Sequence, residues 1–209
     1  NKSMQEVLKA IITPATQIHP RFRKRLEAYA EGLGERPSEV AMGLLVPEMM
    51  SFMDKWIPGL PHNLLGCSSY FIWDHKREAM VHGRTLDFPF HNSFDRHERA
   101  LQTTLDDGPV TFSFSSAGFP YPSITAMTDA GVTIALHQKF GTTFNYQGTP
   151  IFDIVFELLQ NVSSREEAIR FLKKQNSITS WALYMGFSGG NVLSAEIDGE
   201  NFDYSVHQA

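Results

Sequence analysis

The chain has 209 residues, 42% of them hydrophobic and 20% charged, and its 16 Phe, 6 Tyr and 3 Trp exclude a disordered or collagen-like chain. Lys and Arg total 18 against 23 Asp and Glu, a net charge of -5, so there is no basic field to hold a phosphate backbone and nucleic acid is not expected as a partner. One cysteine, Cys67, excludes an internal disulfide and a zinc ribbon, and the longest apolar stretch, 40–53, is broken by Pro47 and Glu48 and too short to span a bilayer.

From the first residues onward the pattern is helical. Val7, Leu8, Ile11, Ile12, Phe22, Leu26 and Tyr29 recur at helical spacing, with breaks at Pro14 and Pro20. The order of a secretion signal is missing, so a targeting peptide is expected to be absent or removed, and the sequons at Asn1 and Asn161 are of a kind that arises often by chance. A further helix is predicted over 38–53. Its Met42, Leu44, Leu45, Met49, Met50, Phe52 and Met53 form an apolar band that either packs on the rest of the protein or meets a lipid surface or acyl chain, the first being preferred. Pro58, Gly59, Pro61 and Gly66 make 57–66 a linker.

Beyond Cys67 the pattern turns to strands, predicted at 68–73, 79–83, 110–115, 131–138, 179–187 and 192–197, with a strand-like run at 202–207. Two helices interrupt them. The first, about 151–160, places Ile151, Ile154, Val155, Leu158 and Leu159 on one face; the second, about 165–174, follows Ser163 and Ser164, each with a glutamate three residues on, the spacing of a capping box. Gly189 and Gly190 lie between two strands with no Lys-Ser or Lys-Thr after them, which makes them a hairpin turn and not a phosphate loop.

The segment 66–90 reads as a hairpin with a polar turn at 74–77. If that turn is centred between His75 and Lys76, Cys67 lies directly opposite Arg84. A guanidinium beside a sulfur favours its nucleophilic form, and Asp87 just beyond is placed to hold a neighbouring amine or the guanidinium. A lone cysteine serves equally well as a small buried apolar residue, and the hairpin alone leaves both readings open.

Cys67 followed by Ser68, Ser69 and a strand, then His82-Gly83-Arg84-Thr85-Leu86-Asp87-Phe88-Pro89, resembles the N-terminal-nucleophile cysteine amidases, the superfamily of choloylglycine hydrolases, penicillin V acylases and the penicillin acyltransferase. The acid ceramidase and N-acylethanolamine acid amidase branch is the nearest in motif, although Thr85 stands where the family usually has Asn. The resemblance implies an α+β fold of four layers, αββα, with two antiparallel sheets between helices. It further implies self-cleavage between Gly66 and Cys67, separating a helical pro-segment, 1–66, that stays associated, from a catalytic domain, 67–209. Cys67 would then be the nucleophile with its own freed amine as base, and Arg84 and Asp87 would orient and tune it.

By the same resemblance, His137, at the end of the strand from Gly131, takes the place of an oxyanion donor or substrate-facing residue. No counterpart is found for the family's later oxyanion Asn, so the catalytic domain is expected to be incomplete at its C-terminus. The expected substrate is a small N-acyl amide with a linear C–N bond, possibly a lipid, with no cofactor and no metal. His91, Asp95 and His97 match no ligand spacing and are read as a solvated loop. An acyltransferase using the same cysteine and a non-enzymatic binding domain are the alternatives. Compartment and oligomeric state are left open.

Overall fold

In a computed structural model of the chain, the structure describes residues 20–53, 66–87, 98–116, 122, 124–141, 143–145 and 147–209. The helices expected before residue 20, most of the linker, Phe88 to Phe90 and the trio His91, Asp95 and His97 lie outside them.

The N-terminal helices are α1 (Pro20–Leu33), α2 (Pro37–Leu44) and α3 (Val46–Met53). The helix expected over 38–53 is thus two. Pro47 has no N–H and its ring collides with the carbonyl four residues back, so the chain bends at Leu45 and α3 restarts one residue later. Pro37 sits in the first turn of α2, where a missing N–H costs nothing.

Nine strands follow among the described residues: β1 (Gly66–Asp74), β2 (Ala79–Asp87), β3 (Glu98–Thr103), β4 (Thr111–Ser116), β5 (Thr125–Thr128), β6 (Thr133–Gln138), β7 (Ser180–Phe187), β8 (Asn191–Asp198) and β9 (Asn201–Gln208). Between β6 and β7 run α4 (Ile151–Asn161) and α5 (Arg165–Leu172). β1 and β2 form a two-stranded antiparallel sheet, and β3 to β9 a seven-stranded antiparallel sheet in chain order.

Alternation along the strands gives each sheet two faces. Ile134, Leu136, Leu183, Met185, Leu193, Ala195 and Ile197 point to one side of the large sheet, where they are buried with α4 and α5 in a single apolar cluster. The predicted apolar face of α4 is not all that is buried: Phe152 and Phe156 beside it are 3% and 2% exposed, with the Arg25 guanidinium of α1 stacked 4.2 Å from the Phe156 ring. The apolar surface of α4 is thus a band broader than the predicted face, with Asp153, Glu157, Gln160 and Asn161 on the remaining side, and each buried apolar side chain contributes about 1.5–3 kcal/mol. Leu26 of α1, Ala41 of α2 and Leu45 between α2 and α3 join the same cluster, Leu44 packs against it and Met50 is buried, so this part of the apolar band packs on the protein.

The opposite side of the large sheet receives the β1–β2 hairpin. Thr133, His137 and Gly186 face it, and a Cβ at Gly186 would fall 2.0 Å from Met80 Cε and 3.1 Å from the Phe71 ring, which shows how closely the two sheets approach. The described layers are therefore helices, large sheet and hairpin. The second helical layer of the expected four-layer sandwich has no counterpart among the described residues, and the outer face of the hairpin carries Tyr70, Ile72 and Val81, 54%, 56% and 43% exposed. Among the described residues no helix is long and apolar enough to cross a membrane.

Local signals in the second half are realised closely. Ser164 caps α5 by accepting from the Glu167 N–H at 3.3 Å, while the Glu167 carboxylate accepts from the Ser163 N–H at 3.0 Å, one residue earlier than a standard capping box. Gly189 and Gly190, at φ of 73° and 78°, make the β7–β8 turn, a conformation other residues take only under strain.

One carboxylate ties the N-terminal helices to the rest. Glu48 of α3 is 1% exposed; it accepts from the Ile151 N–H that opens α4 at 2.7 Å, from the Trp181 indole N–H at 2.8 Å, and from the Thr179 hydroxyl. One turn further along α3, the Ser51 hydroxyl and the Pro47 carbonyl both accept from the Gln138 amide, at 2.9 and 2.8 Å.

Candidate active site

Asp74 sets the geometry of the site from a distance. Its carboxylate accepts from the Lys76 and Arg77 N–H groups at 2.9 and 3.2 Å, and Glu78 closes the loop in the left-handed region at φ 48°. The loop therefore has four residues, 75–78, instead of two, and the pairing slides: Asp74 faces Ala79, Cys67 faces Leu86 and Arg84 faces Ser69. The expected direct opposition of Cys67 and Arg84 is corrected to a diagonal one. Side chains alternate with period two, and a slide of two positions leaves every side chain on its original face.

Arg84 consequently reaches Cys67 along the diagonal, with Nη2 donating to Sγ at 3.4 Å. The same Nη2 donates to the Leu136 carbonyl at 2.9 Å, and Nη1 donates to the Thr125 hydroxyl at 2.8 Å. Nε is buried and has no partner among the described residues. Burial pushes the guanidinium below its ordinary pKa, while the neighbouring Cys67 and the charge of Asp87 oppose that shift. The group stays a cation.

Two histidines flank Arg84, His82 on the inner face of the hairpin and His137 on β6 of the facing sheet. His82 stacks on Phe71 at 4.1 Å between ring centres, and its Nδ1 shares a hydrogen bond of 2.9 Å with Thr133 Oγ1. His137 is 8% exposed; its Nε2 shares a 2.8 Å hydrogen bond with the Ser69 hydroxyl, and its ring lies 4.5 Å from that of Tyr184. Burial first, then the Arg84 charge, lowers both pKa values to about 4 from the ordinary 6.5.

Both rings are therefore neutral through mildly acid and neutral pH. The linkage has a definite sign: unfolded histidines bind protons below 6.5 and the folded ones only near 4, so this stability is present above pH 6.5 and is lost as pH falls from there toward 4. The melting temperature is expected to fall steadily over that interval, and His137→Asn, which cannot titrate, to fall less. An unchanged slope in the variant, measured by thermal unfolding at successive pH values, would show that His137 is not one of the groups responsible.

Asp87 stands apart from this cluster. It pairs with Gly66, and its side chain lies on the face opposite Cys67, so close over the glycine that a Cβ there would be 3.2 Å from Asp87 Oδ2. Its carboxylate thus borders the residue just before the cysteine. Thr85 is exposed and pairs with Ser68.

The sequence points to Cys67, Arg84, Asp87 and His137, and the structure brings Cys67, Arg84 and His137 onto one partly buried surface between the sheets. Ser69, Thr125 and Thr133 carry no signal of a role, as hydroxyl residues that look like any others in strands. His82, inside the hairpin motif, carries no such signal in the sequence.

Beside Arg84 opens a cavity of about 100 Å³, lined by His82, Arg84, Thr125, Thr133, Phe114 and Met127 among others. Phe114 and Met127 are 63% and 46% exposed, and Phe112, opposite Met127 across β4 and β5, is 40% exposed, so an apolar strip continues outward from the cavity. Among the described residues no three His, Cys, Asp or Glu side chains are grouped to hold a metal ion.

No family model matches the chain, and no curated protein does. Solved structures similar to it include a mutant of conjugated bile acid hydrolase from Clostridium perfringens, 14% identical with a TM-score of 0.48, where the match covers 68% of this chain and 51% of that one. Another is penicillin V acylase from Agrobacterium tumefaciens, 20% identical with a TM-score of 0.38, covering 52% of this chain and 38% of that one. The chain spans about half the length of the first of these.

Proposed function

We propose that this chain is a self-processing cysteine amidase that cleaves the C–N bond of linear N-acyl amides through a Cys67 thioester. The observation that carries the reading is the contact between Arg84 and the Cys67 sulfur, made on the inner face of a hairpin whose first residue is Gly66. Arg84 is a fixed cation beside the sulfur, and it has no carboxylate among its three hydrogen-bond acceptors to neutralise it.

In the first step Sγ attacks the Gly66 carbonyl, the Gly66–Cys67 C–N bond breaks, and the Cys67 nitrogen takes up a proton. Water then hydrolyses the resulting thioester, releasing the Gly66 carboxylate and returning the thiol. Asp87, set against Gly66, is the group placed to hold the freed amine. An α-amine of pKa about 7.7–8.0 is a suitable base for its own thiol.

In turnover that amine accepts the thiol proton as Sγ attacks the substrate carbonyl, and delivers it to the leaving nitrogen; water resolves the thioester and the acid departs. His137, neutral and held at Nε2 by Ser69, is the proposed oxyanion or substrate-facing group. The exposed strip of Phe112, Phe114 and Met127 supports an apolar acyl group. No cofactor or metal enters the scheme.

The test is the denatured intact mass of the protein and of Cys67→Ala after incubation at acidic and neutral pH. The protein is expected to separate into pieces of 66 and 143 residues and the alanine variant to remain whole. A chain that is never cut, or an alanine variant cut equally, defeats the self-processing reading.

A further inference from the structure

We propose that Thr125 is a positioning residue for Cys67, acting through Arg84: its hydroxyl holds the guanidinium against the sulfur while leaving the positive charge free. The idea rests on the amidase reading for its catalytic meaning but not for its chemistry.

A guanidinium on a flexible stem is fixed only when acceptors engage different nitrogens in its plane. Arg84 has such a pair. Leu136 supplies a backbone carbonyl to Nη2 and Thr125 a hydroxyl to Nη1, at 2.9 and 2.8 Å, and the sulfur takes the remaining direction of Nη2 at 3.4 Å. With Nε unpartnered among the described residues, the Thr125 bond is what fixes the rotation of the plane.

The position is itself rigid. Thr125 lies on β5, between Phe114 of β4 and Ala135 of β6, and a β-branched side chain in a strand has few rotamers. Both fixed acceptors are neutral. A carboxylate at either place would orient Arg84 equally well but would neutralise it, and the depressed pKa of both His82 and His137, for which the Arg84 charge is the second cause, accords with a cation still felt by its neighbours.

Cys67 is the only cysteine, so iodoacetamide labelling followed by intact mass reports on one sulfur. Thr125→Val keeps the shape and removes the acceptor; Thr125→Ser keeps the acceptor and removes a methyl. At pH 7 the valine variant is expected to label, and to cut itself, about tenfold more slowly, the scale of one hydrogen bond to a charged group. The serine variant is expected to stay within about twofold of the parent, with thermal midpoints of all three close together.

Labelling of Thr125→Val at the parental rate overturns the proposal. So does a serine variant as slow as valine, which would make packing the cause, and so does a parent sulfur that labels no faster folded than unfolded. Should the valine variant melt early, Thr125→Ala repeats the deletion without either γ-methyl. A parent that labels as expected but never cuts itself, with the valine effect intact, would remove the amidase reading and leave the positioning role standing.

Discussion

Arg84→Met is expected to slow both self-cleavage and iodoacetamide labelling of Cys67 by about 10²–10³-fold, the scale of deleting one preorganised electrostatic donor from an active site. Methionine fills a similar volume and keeps the stem packed, but leaves the sulfur with no cation and the Leu136 carbonyl and Thr125 hydroxyl with one partner fewer. The loss of those two hydrogen bonds is expected to cost about 1–3 kcal/mol of stability, so the rates are to be compared well below the melting temperature of the variant. Arg84→Lys makes the sharper comparison. Its ammonium restores the charge but is a single point on a flexible stem and cannot bond in plane to Thr125, Leu136 and Cys67 together. A recovery of about tenfold over methionine is the expected result if charge and geometry both matter. Full recovery by lysine would mean that charge alone suffices, which would also weaken the role given to Thr125; parental rates in the methionine variant would remove Arg84 from the chemistry and with it the main support for a nucleophilic Cys67.

The parts of this site that were legible beforehand are those fixed by neighbours in the chain. The hairpin was visible in its strand-forming residues, and the face shared by Cys67 and Arg84 followed from a period of two that survives any even slide of register. The register itself was not legible, because loop length is decided by the Asp74 side chain bonding two N–H groups and by Glu78 taking a left-handed conformation. In the same way α5 announced itself through Ser163, Ser164 and two glutamates, whereas β3 and β5 went unpredicted. β5 has only four residues, and β3, as an edge strand, mixes Glu98, Arg99 and Gln102 with apolar residues. Thr125 and Ser69 matter only because a β6 partner or an arginine from the other sheet arrives beside them, and nothing within a few residues of either encodes that arrival.

Glu48 is the extreme case of a residue whose meaning is written elsewhere. Within its own segment it reads as a charge that interrupts an apolar band; in the fold its three donors come from positions 151, 179 and 181. Replacing it with alanine leaves a helix-opening N–H and a hydroxyl buried without their acceptor and the indole N–H with only the Thr179 hydroxyl, 3.0 Å away, and Glu48→Ala is therefore expected to lose on the order of 3–5 kcal/mol in denaturant unfolding. Glu48→Gln, which keeps an acceptor, is expected to lose less, and the pH dependence of the difference has a fixed sign. Complete burial raises the Glu48 pKa above its ordinary value, the three donors opposing the shift. A raised carboxylate contributes stability that is present below its unfolded pKa and lost as pH rises through the folded one, so the glutamine variant should compare most favourably with the parent at the alkaline end. This trend runs opposite to that of His82 and His137, and separates the two contributions in one pH series. If the chain is cut before Cys67 as proposed, α3 is thereafter held to the catalytic part without a covalent link, and Glu48→Ala should release the 66-residue piece on gel filtration while the parent retains it. Co-elution of the two pieces in the alanine variant, with stability unchanged, would show that the apolar contacts of Leu26, Ala41 and Leu45 hold the segment by themselves.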